Sequence, residues 1–186
     1  IININDKPNP KDDYARSKLE AENILLEIAA KTNMEVVIVR SPLVYGYGVK
    51  GNLAKLIKLI KIGIPLPFSL VKNHRSMIGI NNLVDVLLIC SNHPNASGKT
   101  FLVSDGKDLS TKELIQFIAS AMGKSANLFP VPISLLKFAS YIFGKESEID
   151  RLIGSLQVDI TYTSKILNWR PNMSVEEGIK NMVKLS

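Results

Sequence analysis

The sequence predicts an α/β fold, and three observations predict it. Short β-branched runs occur at 34–40, 76–80 and 100–105, amphipathic helical patterns lie between them, and Gly and Pro punctuate the joins. With 186 residues, 46% of them apolar, the chain has length for one domain or slightly more and can bury a substantial core.

The elements follow in order. "PNPKDD" (8–13) reads as a helix entry: Asn9 can cap, Pro10 suits the first turn, and Asp12 and Asp13 favour the positive end of the dipole. The helix runs to about Thr32. "MEVVIVR" (34–40) is too short for a helix and continuous enough for a strand buried on both faces. "SPLVYGYGVKGN" (41–52), broken by Pro42, Gly46, Gly48 and Gly51, reads as a loop. A lysine-striped helix at 53–62, a Pro-rich turn at 63–68 and a strand at 76–80 come next. Asn81 or Asn82 can cap a helix that reaches Asn92. A strand at 100–105 precedes a helix at 110–123, whose Ser110 and Glu113 fit a capping box and whose Gly123 fits a terminator. An apolar helix at 134–143, a loop, the segment "SLQVD" and two short helices at 162–168 and 174–184 complete the chain.

Net charge is +6, from 23 Lys and Arg against 17 Asp and Glu, which suits an anionic partner: a phosphorylated small molecule, nucleic acid or a membrane surface. The single cysteine, Cys90, lies in an apolar run and fits a reducing, cytoplasmic setting. The longest apolar stretches, such as "ISLLKFASYIF" (133–143), fall short of the roughly 20 residues of a membrane span. His74 and His93 read as surface residues and stand in no metal-ligand spacing, so no metal is expected.

Residues 13–18, "DYARSK", place a tyrosine and a lysine four apart on a helix, where side chains share a face. Tyr14 and Lys18 can therefore present a phenol and an ammonium to one point. In general, an ammonium about 4 Å from a phenolate, at an effective dielectric of about 20, stabilises it by at most roughly 4 kcal/mol. That is about three pKa units, enough to bring a phenol towards catalytic use. Such a pair arises often by chance, so its meaning depends on context.

The context is "DYARSKLEAE", then "VVIVRSPLVYGYGV", "RSMIGINNLVDV" and "SKILNWRP…SVEEGI", in that order. Together these resemble the C-terminal part of the extended short-chain dehydrogenase/reductases, in the NAD-dependent nucleotide-sugar epimerase, dehydratase and reductase branch. The resemblance runs from Pro8 to Met182. It implies the C-terminal part of a Rossmann-like fold with a small mixed α/β substrate-binding domain. Residues 1–45 would end the dinucleotide-binding domain, and 46–186 would be mainly the nucleotide-sugar domain, with about 81–105 returning to the Rossmann-like part.

The resemblance also implies roles. Tyr14 matches the catalytic acid/base, and Lys18 matches the residue that binds the nicotinamide ribose and favours the phenolate. Pro42, Leu43 and Val44 match the segment beside the nicotinamide of NAD or NADP. Asn52 matches a residue touching the nucleotide diphosphate, Arg75 a phosphate-pairing arginine, and Arg151 a second phosphate ligand, although "LIGSLQVD" replaces the usual segment there. Gln157 and Asp159 are weaker candidates. "GSLQVD" resembles 4-reductases and 4-epimerases of surface-polysaccharide pathways. The family's homodimer, formed as a four-helix bundle around the tyrosine helix, is likewise implied.

The family's Gly-rich pyrophosphate turn has no match in these residues, and the 13 residues before Tyr14 are too few to hold the family's catalytic Ser or Thr. The chain is therefore expected to be the C-terminal portion of a longer enzyme, inactive alone and dependent on an N-terminal half for NAD. The expected function is a 4-epimerase or 4-keto-reductase acting on a UDP-type sugar. Two rivals stand beside it. A non-catalytic dinucleotide sensor on the same fold would not need the Tyr14–Lys18 pair, and a nucleic-acid module lacks interleaved aromatics, which make up only 6% of residues. The lysine stripe at 55, 58 and 61 fits a solvated helix face better than an interfacial membrane helix. Trp169 reads as packing and Asp85 as structural.

Overall fold

A computed structural model describes residues 1–184. Among them the order is α1 (Asp13–Lys31), β1 (Ile38–Arg40), β2 (Leu43–Tyr45), α2 (Gly51–Lys61), β3 (Met77–Gly79), α3 (Ile80–Asn92), β4 (Thr100–Leu102) and α4 (Thr111–Ala121), then α5 (Ile133–Ile142), α6 (Glu146–Ile153), α7 (Thr161–Leu167) and α8 (Val175–Lys184). The strands form two parallel pairs. β1 lies on β4 with Val39 opposite Phe101, and β2 lies on β3 with Val44 opposite Ile78. Each pair is joined through helical crossovers, as parallel pairing requires. The mixed α/β class is as the sequence predicts.

Side-chain alternation along β3 divides the interior. Ile78 packs with Val86, Cys90, Phe101, Val103 and Trp169. Met77, its neighbour, points the other way and joins the core of α2, α4 and α8, where Ile57, Ile115 and Ile179 meet. Between the two cores sits a buried polar knot. The Asp105 carboxylate accepts from the Tyr45 hydroxyl (2.7 Å), the Gly79 amide (3.1 Å) and the Asn82 amide group (2.7 Å). Asn82 also donates to the Met173 carbonyl at 2.8 Å. α8 reaches Tyr45 closely because residue 178 is glycine; a Cβ there would lie 2.6 Å from the Tyr45 oxygen.

Several elements differ from the sequence reading. The first helix is capped by Asp12, whose carboxylate accepts from the Ala15 amide at 2.8 Å, and not by Asn9. The strand expected at 34–40 is confined to 38–40, because only there does Thr100–Leu102 lie alongside. The stretch read as a loop at 41–52 contains β2, which its partner β3 draws into extended pairing despite the nearby Pro and Gly. Neither Asn81 nor Asn82 caps α3; Gly79 holds that position, and Asn82 is consumed by the Asp105 knot. α6 occupies residues that read as a loop. The capping box of Ser110 and Glu113 forms as expected, and its hydrogen bonds hold the Glu113 carboxyl below its ordinary pKa. Trp169 is buried and donates to Asp85 at 2.7 Å, so both have the structural roles read from the sequence.

Candidate active site

Tyr14 and Lys18 lie one turn apart on α1, and the Lys18 ammonium is 5.7 Å from the centre of the Tyr14 ring. Tyr14 is 72% exposed. Both residues line a cavity of about 690 Å³, together with Pro8, Glu22, Arg40 and Leu156. α1 has no buried residue, so packing does little to fix it. Its anchor is electrostatic: the Arg40 guanidinium at the end of β1 grips Glu22 through three hydrogen bonds of 2.6–3.1 Å. Residue 2 adds a backbone tie to 157–159, with bonds of 2.7 and 2.9 Å.

A second cavity, of about 320 Å³, brings together Leu43, Asn52, Arg75 and Arg151. Its chemistry is cationic. Arg75 is half-buried, donates to the Gly154 carbonyl at 3.1 Å, and has no carboxylate partner among the described residues. Burial first, and then the nearby Arg151 charge, lower the Arg75 pKa. Arg151 reaches only a distant contact with Asp12, at 3.7 Å. The first turn of α2 faces the same cavity through Lys50, Gly51 and Asn52, and Lys50 makes no side-chain cap. That turn therefore offers free amides and the positive end of a helix dipole to whatever lies there.

The candidates thus fall into two groups. Tyr14 and Lys18 share the open cavity; Leu43, Asn52, Arg75 and Arg151 share the cationic one; Pro42 and Val44 line neither. One short segment serves both: Arg151 and Leu152 line the cationic cavity, and Leu156 lines the Tyr14 side. Gln157 and Asp159 are engaged elsewhere: Gln157 donates to Asp108 at 2.7 Å, and Asp159 accepts from the Thr161 amide at 2.8 Å, its pKa lowered first by the Thr161 side chain and then by that amide. Sequence reasoning missed Lys50, Ser110 and Thr111, which complete the cationic cavity. The uncapped "KG" entry to α2 was the available signal.

A sequence model of the "NAD dependent epimerase/dehydratase family" matches residues 3–104, more than half of the chain. The chain belongs to this family. A UDP-glucose 4-epimerase of Vibrio cholerae is 48% identical over 176 residues, covering 94% of this chain and 54% of that protein. The UDP-glucuronic acid 4-epimerase of Bacillus cereus, solved with NAD, superposes with a TM-score of 0.77 at 20% identity, over 99% of this chain and 54% of the other. The UDP-glucose 4-epimerase of Thermotoga maritima, solved with UDP-glucose, gives 0.74 at 19% identity, over 99% and 56%. These two superpositions establish the epimerase-like Rossmann fold. The chain spans about half the length of the curated relatives it matches. No helix among the described residues is long and apolar enough to cross a membrane.

Proposed function

We propose that this chain forms the substrate side of an NAD-dependent nucleotide-sugar enzyme of 4-epimerase or 4-keto-reductase type. The observation that carries the reading is the convergence of Arg75 and Arg151 on one cavity without a carboxylate to neutralise Arg75. Two guanidiniums held near each other raise the local potential, and a diphosphate relieves it through forked hydrogen bonds. The amides of the first α2 turn and Asn52 would take the remaining oxygens.

The Tyr14 side fits a nicotinamide ribose by its donor set, an ammonium and a phenol opening on one cavity. Lys18 would hold the ribose, with Pro42, Leu43 and Val44 beside the ring. Bound NAD or NADP would supply hydride exchange at the sugar C4. Tyr14 would take the proton of the sugar 4-hydroxyl and return it. The Gly-rich pyrophosphate turn that completes such a site does not occur in these 186 residues, so the cofactor's diphosphate falls to residues outside them.

In the same reading, residues 1–45 belong with the dinucleotide-binding domain and 46–186 mainly with the sugar-nucleotide domain, 81–105 returning to the first. The exposed Ile24, Leu25 and Ile28 of α1 would meet a second copy in a cytoplasmic homodimer.

Titration of the chain with UDP tests this. Wild type should bind UDP, and Arg75→Ala should weaken binding by about 2–5 kcal/mol, much of it the cost of an unpaired phosphate charge. Arg151→Ala should cost less, since Arg151 is more exposed. Absence of UDP binding by wild type, or equal affinity for wild type and Arg75→Ala, overturns the reading.

A further inference from the structure

α5 buries only Leu136 and Ser140. Its other large residues stand in solvent: Phe138 is 62% exposed, Tyr141 71%, Ile142 60%, and Phe143 beyond it 74%. Ile133 and Leu135 are exposed as well. A water-facing helix with so many bulky apolar side chains marks a surface that something else covers.

The charge around it indicates what. From Leu114 to Lys145 there is no Asp or Glu, while Lys124, Lys137 and Lys145 occur. From Val36 to Val84 there is again no carboxylate; Arg40 is held by Glu22, Lys55 by Glu148, and Lys50 and Arg75 line the cationic cavity, which leaves Lys58, Lys61 and Lys72. The two acid-free stretches are joined in space. Leu66 pairs with Leu128, the Asn127 amide reaches the Gly63 carbonyl at 3.4 Å, and Lys124 donates to the Lys61 carbonyl. The nearest carboxylates are Glu146, Glu148 and Asp150 of α6, which packs against α5; Glu148 is taken up by Lys55 at 3.3 Å, so two carboxylates stand against Lys124, Lys137, Lys145 and the three free lysines of the other stretch. Aromatic and aliphatic side chains among lysines are the recognition chemistry of an anionic bilayer surface, where rings enter the interface and ammoniums meet headgroups.

We propose that α5 is a peripheral docking element that seats this protein on an anionic lipid surface. It enters to the depth of the interface and does not span. The cationic cavity is lined by other elements, α6 among them, and not by α5.

Sedimentation of the chain with vesicles tests the proposal. The chain should bind vesicles of mixed phosphatidylglycerol and phosphatidylcholine, bind pure phosphatidylcholine much less, and be released by added salt. The double variant Phe138→Glu, Ile142→Glu should lower partitioning by about tenfold or more, since it removes the inserting side chains. Val84→Glu with Leu88→Glu on α3, which also removes exposed apolar side chains, should leave partitioning unchanged. Emission of the buried Trp169 reports that each variant is folded. The proposal is overturned by absence of binding, by equal binding of the α5 variant, or by equal loss in the α3 variant. It is also overturned if the α5 substitutions abolish self-association in light scattering while wild type ignores vesicles, because a second copy then covers α5.

Discussion

Two tyrosines show how differently the two ends of this chain are held. Tyr45 lies buried between α8 and β3, and its hydroxyl donates to Asp105 at 2.7 Å. Burial first, and then that bond and the Asp105 charge, raise its pKa, so it stays a fixed proton donor. Tyr14 sits on a helix with no buried residue, and the ammonium of Lys18 stands over its ring at 5.7 Å. The body of the protein is specified by packing and satisfied polar groups. The arm that carries α1 depends on a few polar ties and leaves Tyr14 and Lys18 uncovered. Stability and the proposed chemistry should therefore be separable, and substitutions should report one or the other.

The largest expected effect falls on the arm. In an active preparation holding NAD, Tyr14→Phe should lower turnover by about 10²- to 10⁴-fold, the usual worth of a positioned proton donor. Its urea midpoint should not move, because the hydroxyl makes no hydrogen bond within the described residues and the ring is largely exposed. Retention of more than about a tenth of the activity, where a positioned acid/base is worth at least 10², would remove Tyr14 from the chemistry.

The next effect falls on the body. Asp105→Ala takes the acceptor from the Gly79 amide and from one N–H of the Asn82 amide group, and leaves the Tyr45 hydroxyl only the Val175 carbonyl at 3.4 Å. Each unsatisfied buried group costs about 1–3 kcal/mol, so urea unfolding should show a loss of roughly 3 kcal/mol or more. A loss below about 1 kcal/mol would mean the knot is dispensable and that apolar packing alone joins the two cores.

The same contrast explains what was legible in the sequence. The capping box at Ser110 and the helix that follows it were readable because their signals are local. So was the Tyr14–Lys18 pair, which depends only on helical spacing. β2 was not, because "LVY" becomes a strand through a partner more than thirty residues away, and its own Gly and Pro neighbours argue for a loop. Asn82 looked like a cap because Asn favours that position, yet its side-chain oxygen, which a cap would turn to the free N–H groups of α3, accepts from the Met173 amide at 3.1 Å while its NH2 donates to Asp105. Arg75 and Arg151 were singled out by resemblance. Only the fold shows that they face one cavity with Lys50 and the first α2 turn, since no local pattern links residues 50, 75 and 151.

The smallest effect probes the tie between arm and body. Arg40 and Glu22 are both largely shielded from solvent, and the guanidinium reaches both carboxylate oxygens. Arg40→Leu removes that grip and strands Glu22 against an apolar neighbour, at a cost of about 1–2 kcal/mol, between an exposed ion pair and a buried one. Little of the loss should appear as global instability, because β1 keeps its backbone bonds to β4 and the core through Ile38 is untouched. It should appear as faster hydrogen exchange across 13–31, with the amides of α4 and α8 unchanged, since local opening draws on the weakest contacts first. If exchange in α1 were unaltered, the backbone tie between residue 2 and 157–159 would be what holds the arm. If α4 and α8 accelerated equally, arm and body would unfold as one cooperative unit, and the separation of chemistry from stability would fail.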